Sequence, residues 1–180
     1  CLVLPRPFAW VATLSADGVA SLAPFSYFTI ASVAPPTLLF CPANHPDGSA
    51  KDTLRNLDAC PEFVVHCVSE ELAAAMNQTA APYPPAISEF AAAGLTMTPS
   101  SLVRPPRVAE AKAAFECRLT ERIAVGDGNV VLGEVGAIHV SEAVYVDGYV
   151  DLDALAPIGR LVGDGYVRTT DRFAIGRPQG

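Results

Sequence analysis

The chain has 180 residues, of which 51% are hydrophobic and 17% charged, and its formal net charge is -7. Such a length suits one domain over residues 1–180 with one sizeable core, and the composition excludes a disordered chain. Only 12 lysines and arginines stand against 19 acids, with no basic stripe, so no nucleic acid partner is expected; no apolar run is long enough to predict a membrane span.

Cys1-Leu2-Val3-Leu4-Pro5-Arg6-Pro7 opens the sequence without the charged and long apolar regions of a secretory signal, which predicts a cytoplasmic protein. Phe8 to Leu14 is an apolar, partly alternating run; Ala16-Asp17-Gly18 makes a turn, and Ala20 to Ile30 resumes as a strand, so the pair reads as a hairpin. Pro35-Pro36 ends that second strand. Thr37 to Cys41 is a third, nearly all-apolar strand, as expected where both faces are covered.

A short helix is predicted near Ser49, with Ser49 as N-cap and Asp52 three residues on in a capping-box arrangement. Glu62 to Val68 reads as a fourth strand. Ser69-Glu70-Glu71 opens a second helix through Met76, its acids suited to the helix dipole. After the rigid Tyr83-Pro84-Pro85, a third helix over Ile87 to Ala93 ends at Gly94. Ala114 to Ile123 alternates, with Phe115, Cys117 and Leu119 on one face and Glu116, Arg118 and Thr120 on the other, as in a half-buried antiparallel strand. Gly126 to Asn129 turns into a partner strand over Val130 to Val140, with bulges or close approaches at Gly133 and Gly136. A short strand is expected near Ala143 to Val146, and an irregular tail from Gly159. Long antiparallel strands in both halves, with helices clustered between them, predict a mainly β fold with added helices, a β-barrel of the α+β kind.

Five cysteines, Cys1, Cys41, Cys60, Cys67 and Cys117, are an odd number without C-x-x-C, so most of them read as small buried hydrophobes, not a disulfide framework. His45, His66 and His139 are too widely spaced to predict a metal site. G-x-S-x-G, the phosphate-binding P-loop, G-x-G-x-x-G and H-E-x-x-H are all missing, and no catalytic side chain is assigned. That pattern favours a protein whose cofactor carries the chemistry.

Three segments could hold such a cofactor. Ser21 to Phe28 carries Pro24, which marks a strand edge or bulge, beside the hydroxyl of Ser26 and the flat surfaces of Phe25, Tyr27 and Phe28. Ser49-Ala50-Lys51-Asp52-Thr53 opens a helix, where free N–H groups, hydroxyls and Lys51 make a phosphate cradle. Asp52 would repel phosphate, and reads as capping the helix or holding Lys51. Gly159 to Arg168 offers glycines for close approach together with Arg160 and Tyr166. Each segment also has a plainer reading, as an edge strand, a helix cap or a tail. Arg104, Arg107 and Arg118 read as surface charges.

Taken with Pro5 to Leu14, Pro35 to Phe40, Lys51-Asp52-Thr53-Leu54-Arg55-Asn56, Pro105-Pro106-Arg107-Val108, Leu132-Gly133-Glu134-Val135 and Pro157-Ile158-Gly159-Arg160-Leu161, these segments resemble the flavin-reductase-like family of FMN-binding split-barrel proteins over nearly the whole chain. The resemblance implies that Pro24, Phe25, Ser26 and Tyr27 line the isoalloxazine and ribityl chain, and that Phe40, Cys41 and Pro42 border the cofactor. It implies Lys51 and Thr53 on the phosphate, with Asp52 between them in the signature, and Asn77 nearby. Arg160, Gly163 and Tyr166 match a segment near the open face of the flavin, where Val162 replaces the first of two glycines and narrows the nicotinamide pocket. It further implies a homodimer with FMN at the subunit interface, NADH or NADPH as co-substrate, and oxygen or an electron-accepting protein downstream. A non-catalytic FMN carrier, and a split barrel for a deazaflavin or haem, stay open as alternatives.

Overall fold

The computed structural model describes residues 2–178, so Cys1 lies outside the described residues. In chain order, β1 (Arg6–Pro7), β2 (Ala9–Leu14), β3 (Ala20–Phe25), β4 (Phe28–Val33) and β5 (Pro36–Phe40) precede α1 (Asp52–Ala59) and β6 (Glu62–His66). A 3-10 turn at Glu70–Leu72 leads into α2 (Ala73–Gln78), followed by α3 (Glu89–Ala92), β7 (Met97–Thr98) and β8 (Arg107–Val108). The second half holds β9 (Ala113–Val125), β10 (Gly128–Val140), β11 (Tyr145–Val146), β12 (Tyr149–Val150), α4 (Leu152–Leu155), β13 (Ile158–Arg160) and β14 (Tyr166–Arg168).

The main sheet has the order β3-β2-β6-β9-β10-β5-β4, all antiparallel. Its two edge strands, β3 and β4, are consecutive in the chain and joined only by Ser26 and Tyr27. So short a link reaches about 11 Å at most. The sheet therefore has to curl until its ends meet at that corner, and it forms a barrel that stays split between β3 and β4. The single strand expected over Ala20 to Ile30 is thus two strands, separated because the chain leaves one edge of the sheet and re-enters at the other.

Both faces of this sheet are covered at β2, β3 and β6, which explains their near-continuous apolar sequences. Trp10, Leu22 and Val64 pack with Leu72, Met76 and Phe90 on one side. Neighbouring positions Val11, Phe63 and Val65 pack with Phe25, Phe40 and the α1 residues Leu54 and Leu57 on the other. The rings of Phe25, Phe40 and Phe63 form a chain, with centroids 5.3 and 5.4 Å apart. Register shifts fall between Leu132 and Gly133 and between Val135 and Ala137, at the two glycines where bulges are expected. Glycine is required at the first: a Cβ on Gly133 would lie 2.2 Å from Cζ of Phe63.

Two buried polar groups brace the barrel. His66 is fully buried, with Nδ1 2.9 Å from the Trp10 carbonyl and Nε2 accepting from the Val108 N–H at 2.9 Å. The acceptor role of Nε2 puts the proton on Nδ1. Burial holds the ring neutral down to about pH 4, aided by Arg107 and opposed by the bond to Trp10. Since the folded state resists a proton that the unfolded chain takes up near pH 6.5, this contribution is complete above that pH and is lost as pH falls toward 4. Ring resonances of His66 are therefore expected to hold still through pH 5; a midpoint near the usual value would show a solvated ring.

The second group is Glu116, placed by alternation on the polar side of its strand but wholly buried. The loop ahead of β8 covers that face. Its N–H groups at Ser101 and Leu102 donate to the carboxylate at 2.7 and 2.5 Å, and His139 Nε2 lies at 2.6 Å. Burial pushes the carboxyl up, but these bonds outweigh it and leave it below the usual range. Arg107, read as a surface charge, is mostly buried, its Nε 3.9 Å from Glu116 and without a hydrogen bond. Arg104 and Arg118 are exposed as expected.

The first part of the tail from Gly159 is not irregular, whereas residues 169–178 hold no helix or strand, as expected. β13 pairs with β1 and β14 around a turn containing Gly163 at φ +58°. β1 crosses Gly159 so closely that a Cβ there would meet Pro5 at 3.2 Å. Among the described residues, no helix is long and apolar enough to cross a membrane.

Candidate functional site

A groove of about 500 Å³ runs between the edge of β3, the start of α1 and the segment Thr79–Tyr83. Its volume lies in the range of small-molecule and cofactor sites.

One wall is the free edge of β3. Leu22 N donates outward to Glu89 Oε2 at 2.9 Å, and the Ala20 carbonyl accepts outward from Ser88 Oγ at 2.6 Å. Even-numbered residues of β3 therefore turn their backbone groups away from β2. Pro24 shares that parity, so its missing N–H costs no ladder bond and its carbonyl faces the open edge. Pro24 and Phe25 both line the groove.

The opposite wall is the start of α1. Lys51, at φ -64° and ψ 157°, is the N-cap, and no side chain caps the helix. Ser49 does not serve as cap: its hydroxyl donates to Asp47 Oδ1 at 2.6 Å in the preceding turn. Asp52 is the first helical residue and pairs with Arg55, whose guanidinium also donates to the Ala50 carbonyl. Asp52 thus holds Arg55, and among the described residues Lys51 makes no ion pair. The N–H groups of Asp52 and Thr53 find no acceptor among the described residues. Thr53 is 2% exposed, lines the groove, and its hydroxyl makes no hydrogen bond there. Unpaired N–H groups, a dipole, an unpaired hydroxyl open to the groove and a free lysine make an anion site.

The other expected residues lie around this groove rather than along it. Ser26 Oγ accepts from Arg6 Nε at 3.3 Å, and Tyr27 lies under the same guanidinium at 5.7 Å. Phe40 is completely buried behind Phe25. Cys41 donates its N–H to the Tyr27 carbonyl, and burial pushes its thiol up. The Pro42 carbonyl accepts from Asn129 N at 3.0 Å. Asn77 accepts from the Tyr166 hydroxyl at 3.2 Å; Arg160 sits 4.8 Å over the Tyr166 ring and bonds the Gly163 carbonyl. Arg6 links this C-terminal group to the Ser26 corner through the Leu161 carbonyl at 3.2 Å.

Sequence reading missed the third wall, Thr79 to Tyr83, and the charged residues Arg55 and Glu89. Thr79 to Pro82 are small and carry no motif; what fixes them is the Trp10 indole, which donates to Thr79 Oγ1 at 2.9 Å from the neighbouring strand. No described cluster of His, Cys, Asp and Glu has a metal-binding arrangement.

Residues 2–153 match the flavin reductase like domain. The chain belongs to the flavin reductase-like family. Its fold is the family's split barrel. A curated Aquifex aeolicus protein of uncharacterized function is 42% identical over 168 residues, covering 93% of this chain and 86% of that one. Nitrilotriacetate monooxygenase component B from Bacillus cereus is 36% identical with a TM-score of 0.91, covering 97% of this chain and 89% of its own. The 2-nitrobenzoate 2-nitroreductase NbaA of Pseudomonas fluorescens is 34% identical with a TM-score of 0.88, covering 98% and 87%.

Proposed function

We propose that the groove of this flavin reductase-like protein holds FMN and that the protein is an oxidoreductase drawing hydride from NADH or NADPH. The observation that carries the reading is the unpartnered Thr53 hydroxyl beside Lys51 and the uncapped start of α1, facing an edge strand whose Pro24 carbonyl is free. A phosphate fits the first and the polar rim of a flat heterocycle fits the second. Lys51 and Thr53 would hold the phosphate; Pro24, Phe25, Ser26 and Tyr27 would position the ring. When bound, the flavin supplies a centre that accepts hydride and passes electrons on. The chain's residues bind, orient and shield it, so no side-chain acid or base is needed.

The electron acceptor would be a partner oxygenase, oxygen or a reducible small molecule, as the names of the two solved relatives suggest. The working unit would be a homodimer. Ile30 and Val33 on edge strand β4 are 67% and 86% exposed, an apolar edge that a second copy would cover.

Purified protein should be yellow or turn yellow with FMN, and should oxidise NADH or NADPH well above the free-flavin background. Bound FMN without turnover would instead make it an electron carrier. A colourless protein that ignores FMN overturns the proposal.

A further inference from the structure

The groove does not stop at the start of α1. A second hollow of about 130 Å³ adjoins it along the first turn of the helix and shares Ser21, Asp52, Arg55, Pro85 and Glu89 with it. From α1 it is lined by Asp52, Arg55 and Asn56, beside the residues of the cradle. Its charges differ from those of the cradle. Two carboxylates, Asp52 and Glu89, face it against one guanidinium, and the charge of Arg55 is already used by Asp52 and the Ala50 carbonyl. Glu89 is 9% exposed, and only its Oε2 is engaged, by the Leu22 N–H. Its other oxygen has no partner among the described residues.

We propose that Asp52 and Glu89 are specificity-determining residues that close the far end of the groove to a second phosphate, so that it takes a flavin mononucleotide and turns away the dinucleotide. The inference rests on the flavin reading and adds to it the end of the ligand that is read. A first phosphate meets N–H groups, a hydroxyl and a free cation. A second, placed in the adjoining hollow, would meet the carboxylates of Asp52 and Glu89, and like charges repel. Asp52, by tethering Arg55, also withholds the cation that lines this hollow.

The test is the binding of FMN, FAD and riboflavin, followed by quenching of flavin fluorescence, to wild type, Glu89→Gln and Asp52→Asn. Wild type should bind FMN at least about tenfold more tightly than FAD. Glutamine can still accept from the Leu22 N–H, so Glu89→Gln keeps the strand edge and should tighten FAD several-fold while leaving FMN within about twofold. Asp52→Asn frees Arg55 and should narrow the same gap. Equal wild-type affinities for FMN and FAD, or a gap that neither folded variant narrows, would overturn the inference and leave the flavin reading standing. Failure of wild type to bind FMN at all would overturn both.

Discussion

Glu116→Ala is expected to destabilise the protein by about 3–5 kcal/mol, the usual cost of breaking a buried ionic network on one side. The carboxylate accepts from Ser101 N, Leu102 N and His139, and it is the nearest counter-charge to the mostly buried Arg107. Truncation leaves two N–H groups without acceptors and the Arg107 guanidinium without a counter-charge, held only by the Pro99 carbonyl, so the loop that covers this face of β9 loses its anchor. The unfolding midpoint in urea measures the loss. Glu116→Gln should cost clearly less, because a carbonyl oxygen remains to accept from the loop. If both variants unfold at the wild-type midpoint, the network contributes nothing net. Because the folded-state carboxyl is held below its usual range, the contribution is present at neutral pH and is lost as pH falls through that lowered value.

Glu116 also shows where reading the sequence fails. Alternation along β9 assigns it to solvent, and the local pattern is correct: its neighbours Phe115 and Cys117 do face the other way. What inverts its environment is a loop some fifteen residues earlier in the chain, folded back over the strand, and period-2 patterning carries no information about that. The break at Ser26 is similar. Nothing in Ala20 to Ile30 distinguishes one long strand from two; the distinction comes from the sheet closing on itself, which is a property of seven strands together. The strands around Gly163 were hidden because their three-residue lengths are too short for alternation to register. By contrast, the Asp17-Gly18 hairpin, the bulges at Gly133 and Gly136 and the helix after Lys51 were legible, since each is fixed by residues adjacent in the chain.

The candidate site divides along the same line. Pro24, Phe25 and the Lys51-Asp52-Thr53 run were found because each announces itself locally, as an edge proline or a helix start. Their meeting across one groove came from the order β3-β2 and from α1 packing Leu54 and Leu57 onto the core behind Phe25. Glu89 could not be placed. In sequence it is an ordinary first-turn acid of a short helix, and only its bond to the free edge of β3 brings it to the groove.

Lys51→Ala is expected to weaken FMN binding by about 1.5–3 kcal/mol, the range for a hydrogen bond to a charged group, or roughly 10- to 150-fold in Kd. Lys51 is well suited to such a test. It makes no ion pair among the described residues, and it serves α1 through its backbone, so alanine should leave the melting temperature nearly unchanged. The loss should also depend on the phosphate. Riboflavin, which keeps the ring and the ribityl chain, should bind wild type and variant alike, because its contacts would be those with Pro24 and Phe25. Added salt should narrow the FMN difference, since a partly exposed lysine is screened. An FMN affinity unchanged by the substitution would remove Lys51 from the site and leave the N–H groups and Thr53 to hold the anion alone. An equal loss for riboflavin would mean that Lys51 shapes the groove instead of reading charge. The ratio of the two losses, more than either value, decides whether the start of α1 is a phosphate cradle.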